Sequence, residues 1–113
     1  MQPRLAKLLE DIRDSAPFIC DVTQGVTLQR WAADRVLRQA VERNFEIVGE
    51  AVKRLSAHDP ATAACISHQS QIIGFRYVLI HGYDLVDHAL VLNTAAHQVP
   101  KLLGEVTALL AGR

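Results

Sequence analysis

The sequence predicts an all-α protein, an antiparallel helical bundle, and three observations predict it. Apolar residues recur three and four positions apart through most of the chain, the spacing of one helix face. No run of alternating apolar and polar residues marks a strand. Proline and glycine are sparse, four and six in 113 residues, and most fall where helices would start or stop. With 50% apolar and 21% charged residues, the chain suits one globular domain, residues 1–113, and is too short for two.

The first helix is expected from about Arg4 to Ala16, with Leu5, Leu8, Leu9 and Ile12 on one stripe. Pro17 disfavours its continuation, because the proline ring clashes with the preceding turn. Gln24-Gly25 marks a loop and Thr27 suits an N-cap. The longest periodic segment follows, Leu28 to about Ala57, with Trp31, Val36, Leu37, Val41, Phe45, Val48, Val52 and Leu55 in helical spacing. Gly49 inside it costs about 1 kcal/mol of propensity against alanine; a close helix–helix crossing is the usual reason to keep it. Asp59-Pro60 signals a new start, aspartate as cap and proline at the first position, for a short helix to about Cys65. Ser67 or Ser70 can cap the next helix, which runs to His81, and Gly82 can supply the left-handed turn common past a helix end. Asp84 can cap a further helix, Leu85 to about His97, and Pro100 begins or kinks a last segment to Ala111. The apolar content of the long and last helices exceeds what one small bundle buries, so a homodimer packed through helices is expected.

Twelve basic and twelve acidic residues cancel. That balance argues against a broad cationic surface for nucleic acid, because such binding is driven by phosphate neutralisation. A local basic cleft remains open, above all one assembled from two copies. No apolar run approaches the roughly 20 residues of a membrane span, and no signal-peptide core is apparent, so a cytoplasmic location is expected. Cys20 and Cys65 belong to no paired motif and read as buried, reduced thiols.

The chemistry concentrates between Ile73 and Asp84. Arg76 offers a guanidinium able to hold a phosphate and the charge that grows on it in a transition state. His81 can exchange protons near neutral pH, as general acid–base catalysis requires. Tyr83 offers a hydroxyl that can bind phosphate or accept a modification. Positions 76 and 83, seven apart, share a face on a continuous helix, whereas His81 lies well round from Arg76. Together they suffice to cleave RNA without a metal: the ribose 2′-hydroxyl attacks the neighbouring phosphorus and histidine manages the proton. One His and one Arg are few, but a two-fold axis would double them in one cleft. A plain structural alternative is that His81 closes a helix end and Arg76 pairs with a carboxylate such as Asp84 or Asp87.

The Arg76-x4-His81-x-Tyr83 pattern resembles the signature of the HEPN superfamily, and specifically of HepT-like proteins. The stretch Ala40–Leu55 is similar to that family's second block, and Ile72–Arg76 with His81–Asp87 to its third, so the likeness spans nearly the whole chain in order. The resemblance implies a helical homodimer acting as a metal-independent endoribonuclease, needing no cofactor, with Arg76 and His81 of both subunits in a shared cleft. It also implies an RNA substrate and an MntA-like nucleotidyltransferase antitoxin that transfers AMP to Tyr83. A bulky anionic adduct there would occupy the place where RNA phosphates sit. One departure stands out: many members carry asparagine after the motif arginine, where this chain has Tyr77. Loss of that amide puts activity in question, or Tyr77 contacts substrate by stacking on a base.

Other candidates rank lower. Glu46 and Glu50, four apart, could form an acid–base or metal pair but are expected to pair with Lys53, Arg54 or a facing helix. Asp84 and His88 have ligand-like spacing without a second histidine nearby. Trp31 is expected in the core or an interface; His58, His68 and His97 are expected at the surface or at helix ends. The alternative function is a non-catalytic helical module that binds nucleotide or RNA, or docks the nucleotidyltransferase.

Overall fold

The computed structural model describes residues 1–112. Among them there are seven α-helices and no strand: α1 (Pro3–Thr23), α2 (Leu28–Ala33), α3 (Arg35–His58), α4 (Pro60–Ala63), α5 (Gln69–His81), α6 (His88–His97) and α7 (Val99–Ala111). A single 3₁₀ turn, Tyr83–Leu85, joins α5 to α6. No helix among the described residues is long and apolar enough to cross a membrane. The all-helical bundle expected from the periodicity is what the chain forms.

α3 is the central helix. It packs along α1 on one side and α5 on the other, while α7 covers α1 and α6 bridges α7, α1 and α2. Arg4 at the start of α1 lies 2.9 Å from the His58 ring at the end of α3, so these two helices run antiparallel. The fully buried side chains, Leu9, Ile12, Ile19, Trp31, Val41, Leu55, Val91 and Val106 among them, come from α1, α2, α3, α6 and α7. α5 contributes only Leu79 to the buried set.

Several boundaries differ from the sequence-based expectation, each for a physical reason. α1 does not stop at Ala16 but continues through Pro17 to Thr23. An interior proline costs about 3 kcal/mol, but continuation places Ile19, fully buried, on the stripe of Leu5, Leu9, Ile12 and Ala16. Burying such a side chain contributes about 1.5–3 kcal/mol, and Cys20 and Val22 add further contact with the core. The expected long helix is two. Asp34 leaves helical geometry, ends α2 and caps α3 by accepting from the Leu37 N–H at 2.9 Å. The Arg38 guanidinium donates to the carbonyls of Trp31, at 3.2 Å, and Ala32, tying the two pieces together. The break also changes the phase, so Trp31 is fully buried whereas Val36 is 81% exposed.

Thr27 and Asp59 cap as expected, accepting from the Arg30 and Thr62 N–H groups. Two hydrogen bonds from Thr62, side chain before backbone, hold the Asp59 carboxyl below its ordinary range. The short helix that follows ends at Ala63 rather than Cys65. Neither Ser67 nor Ser70 caps α5: His68, with φ 59°, precedes it, and Ser67 donates from its N–H and its hydroxyl to Glu105 on α7. Gly82 is not left-handed, with φ −124°. Asp87, not Asp84, caps α6, because the 3₁₀ turn delays that helix to His88. Pro100 begins α7 within its first turn and does not kink it. Both cysteines are free, but Cys65 is exposed and Cys20 only half-buried.

Candidate active site

Arg76 lies in the middle of α5 and faces α3. It can approach because α3 presents Gly49 there: a Cβ on Gly49 would stand 2.4 Å from the Arg76 Cβ. This is the close crossing that a glycine inside a long helix predicts. One turn of α3 away, Phe45 meets Phe75 edge-on, ring centres 5.0 Å apart. These contacts seat α5 on α3 and fix the direction of the Arg76 side chain.

The partner of Arg76 is Glu50, not Asp84 or Asp87. Arg76 Nη2 lies 2.7 Å from Glu50 Oε2, with the two side chains 21% and 31% exposed. The contact is an ion pair without a hydrogen bond, and both Glu50 Oε2 and Arg76 Nε are buried without a hydrogen-bond partner. The other carboxylate oxygen, Oε1, accepts from Arg54 Nε at 2.9 Å. The hydrogen bond from Arg54, aided by the Arg76 charge and opposed by burial, holds the Glu50 carboxyl below its ordinary range. Glu46 pairs with Arg43 at 3.3 Å. Glu50 therefore takes the partners expected of it, Arg54 and a facing helix, whereas Glu46 pairs with Arg43 of its own helix rather than with Lys53, Arg54 or a facing helix.

His81 is the last residue of α5 and is exposed. Its ring stacks obliquely on Tyr77, one turn earlier, with centroids 4.5 Å apart and planes at 40°. Tyr77 is itself 62% exposed. Tyr83 stands on the 3₁₀ turn just past Gly82 and is 81% exposed. The structure thus brings His81 together with Tyr77 and sets Tyr83 beside the helix end. It does not bring Arg76 to His81: five helical positions separate them by about 140° round the α5 axis. His88, on α6, is occupied elsewhere, accepting at Nδ1 from the buried indole N–H of Trp31 at 3.1 Å. That contact left no signal in the sequence, since the two residues are 57 positions apart.

Two depressions flank α5. The larger is an apolar groove of about 540 Å³ between α5 and the α6–α7 pair, walled by Ile72, Phe75, Val78, Leu90 and Leu102 and floored by Phe45 and Val48. The smaller, about 340 Å³, holds Arg76 and Glu50 with Arg43, Arg54, Glu46, Asp11 and Ile80. His81 and Tyr83 line neither. Val78, Leu85 and Leu90, at the mouth of the groove, are 41%, 77% and 50% exposed. α5 is apolar nearly all round, and helices of that composition are ordinarily covered on every side.

Comparison with known proteins identifies the family of the chain. The family described as Ribonuclease HepT-like matches residues 12–109. A candidate RNase of Caldanaerobacter subterraneus subsp. tengcongensis is 30% identical over 102 residues, covering 90% of each chain. A candidate RNase of Methanocaldococcus jannaschii is 30% identical over 98 residues, 87% of this chain and 89% of that one. A second from the same archaeon is 29% identical over 97 residues, 86% and 79%. No solved structure gives a significant match.

Proposed function

The chain belongs to the HepT-like ribonuclease family, and from that premise we propose that it is the toxin of a toxin–antitoxin pair, a homodimeric, metal-independent endoribonuclease. Arg76 and His81 are its catalytic residues, and Tyr83 is its substrate contact and the target of adenylylation. The observation that carries this reading is the open corner at the end of α5. There His81 and Tyr83 stand exposed beside an unfilled apolar groove, while Arg76 is held round the same helix.

A second copy covering the groove and the exposed apolar side of α5 would remove that surface from water and bring two α5 helices together. One copy's His81 then shares a cleft with the other's Arg76, which overcomes the angular separation within one chain. In that cleft a 2′-hydroxyl oxygen bonds to phosphorus and the bond from phosphorus to the 5′-oxygen breaks. One His81 accepts the 2′ proton and the second donates a proton to the leaving oxygen. Arg76 meets the charge that develops on the phosphoryl oxygens. Tyr77, exposed against the His81 ring, would contact a neighbouring base.

The exposed Tyr83 hydroxyl is accessible to a modifying enzyme. In the proposed neutralisation an MntA-like nucleotidyltransferase joins this oxygen to the α-phosphorus of ATP and pyrophosphate leaves. The added phosphate would repel RNA from the cleft.

The test is incubation of purified protein with a defined RNA in EDTA, wild type beside His81→Ala. Cleavage by the wild type alone, with circular dichroism unchanged between the two, is expected. The Arg76–Glu50 ion pair favours a second reading, a non-catalytic helical module that binds nucleotide or docks the nucleotidyltransferase. On that reading neither protein cleaves, and partner binding survives His81→Ala.

A further inference from the structure

The arrangement around Arg76 is more elaborate than a helix crosslink requires. Gly49 clears the space for the arginine stem. Glu50, the next residue, meets the guanidinium at 2.7 Å and is itself held from the other side by Arg54 at 2.9 Å. The arrangement leaves Arg76 Nε buried without a hydrogen bond, and Glu50 Oε2 meets the guanidinium as an ion pair only. Unsatisfied groups of this kind cost stability and concentrate at functional sites, where placement of a side chain outranks its comfort.

We propose that Glu50 is a positioning residue for the reaction proposed above: clamped by Arg54, its carboxylate fixes the guanidinium of Arg76 in the direction from which it meets the phosphate. The inference rests on the ribonuclease reading and adds to it a residue outside the Arg76–Tyr83 segment. The arginine stem is a chain of four rotatable bonds, and its head is useful only where charge develops. The contact with Gly49 restrains the stem and Glu50 restrains the head. The hydrogen bond from Arg54, with the Arg76 charge beside it, favours the ionised form of the Glu50 carboxyl that the clamp requires.

The experiment measures kcat and KM for cleavage of one RNA, together with the melting temperature of each protein. The variants are Glu50→Gln, Glu50→Asp, Arg76→Lys, the double Glu50→Gln/Arg76→Lys, and Glu46→Gln as a control paired with Arg43 instead. Glu50→Gln is expected to lower kcat about 10- to 100-fold, the scale of a misplaced catalytic group, with KM changed less than about twofold. Glu50→Asp, which keeps the charge, recovers part of the loss. The double variant is no slower than Arg76→Lys, and Glu46→Gln cleaves like wild type.

Wild-type kcat in Glu50→Gln would overturn the proposal and leave the ribonuclease reading intact. So would an equal loss in both Arg76 backgrounds, or a loss that merely follows melting temperature. If Glu50→Gln does not fold, Arg54→Gln releases the clamp from outside and is expected to give the same kcat-selective loss; unchanged kcat there would overturn the proposal. Absence of cleavage by wild type would sink the ribonuclease reading, and this inference with it.

Discussion

At the scale of single residues, the most constrained position is Gly49. An added methyl group would stand 2.4 Å from the Arg76 Cβ, so one helix must move. Gly49→Ala is therefore expected to destabilise the protein by about 1–3 kcal/mol, the usual cost of overpacking. Urea denaturation measures it, and unchanged stability would show that α5 is not seated as described. Glu50 gives a pH signature. Its folded-state pKa is lowered, so the stability it contributes is present above the ordinary carboxylate range and is lost as pH falls through that lowered value. The stability gap between wild type and Glu50→Gln should accordingly be constant near neutrality and close as pH falls through the lowered pKa. A gap that instead widens toward low pH would contradict the ion pair. Trp31, the one tryptophan, reports on a third contact. His88→Ala leaves the buried indole N–H unpartnered, at a cost of about 1–3 kcal/mol, and is expected to perturb the emission of a side chain that is otherwise fully buried.

At the scale of elements, local preference and burial compete, and the outcomes mark what the sequence could reveal. Helix-forming segments were legible because their 3.6-residue period is a local property, and Thr27 and Asp59 were legible because capping needs only neighbouring residues. Pro17 was misleading because the burial of Ile19 depends on helices packed against α1 from elsewhere in the chain, invisible in a local window. Asp34 was hidden inside an apolar period that spans both sides of the break. Gly82 invited a left-handed turn, but the chain instead tightens into a 3₁₀ turn before Asp87. Two variants test this balance by thermal denaturation. Pro17→Ala is expected to stabilise the protein by up to about 3 kcal/mol, since it restores an interior N–H and removes the ring from the preceding turn. Asp34→Ala is expected to cost about 1 kcal/mol through loss of the α3 cap. No gain in the first would show that the proline ring itself is required by the packing around it.

At the scale of the molecule, the site is split between what one chain holds and what a second would complete. Arg76, His81 and Tyr83 were legible as a motif because they lie within eight consecutive positions. Their three-dimensional relation was not, since Arg76 turns to Glu50 while His81 turns outward to Tyr77. The apolar groove beside α5 was foreshadowed only as an excess of apolar residues, because a composition says that surface must be covered and not where. If a second copy covers it, Val78→Asp or Leu90→Asp should yield a helical monomer in sedimentation and abolish cleavage together with dimerisation. A folded monomer that still cleaves would refute the shared cleft.

The central claim is that His81 moves the protons of an intramolecular transesterification in RNA. Its most direct measurement is the chemical identity of the ends produced from a defined RNA in EDTA, by wild type and by His81→Ala. The account predicts 2′,3′-cyclic phosphate and 5′-hydroxyl ends from wild type and no products from the variant. Ends bearing a 3′-hydroxyl, or undiminished cleavage by His81→Ala, would contradict it.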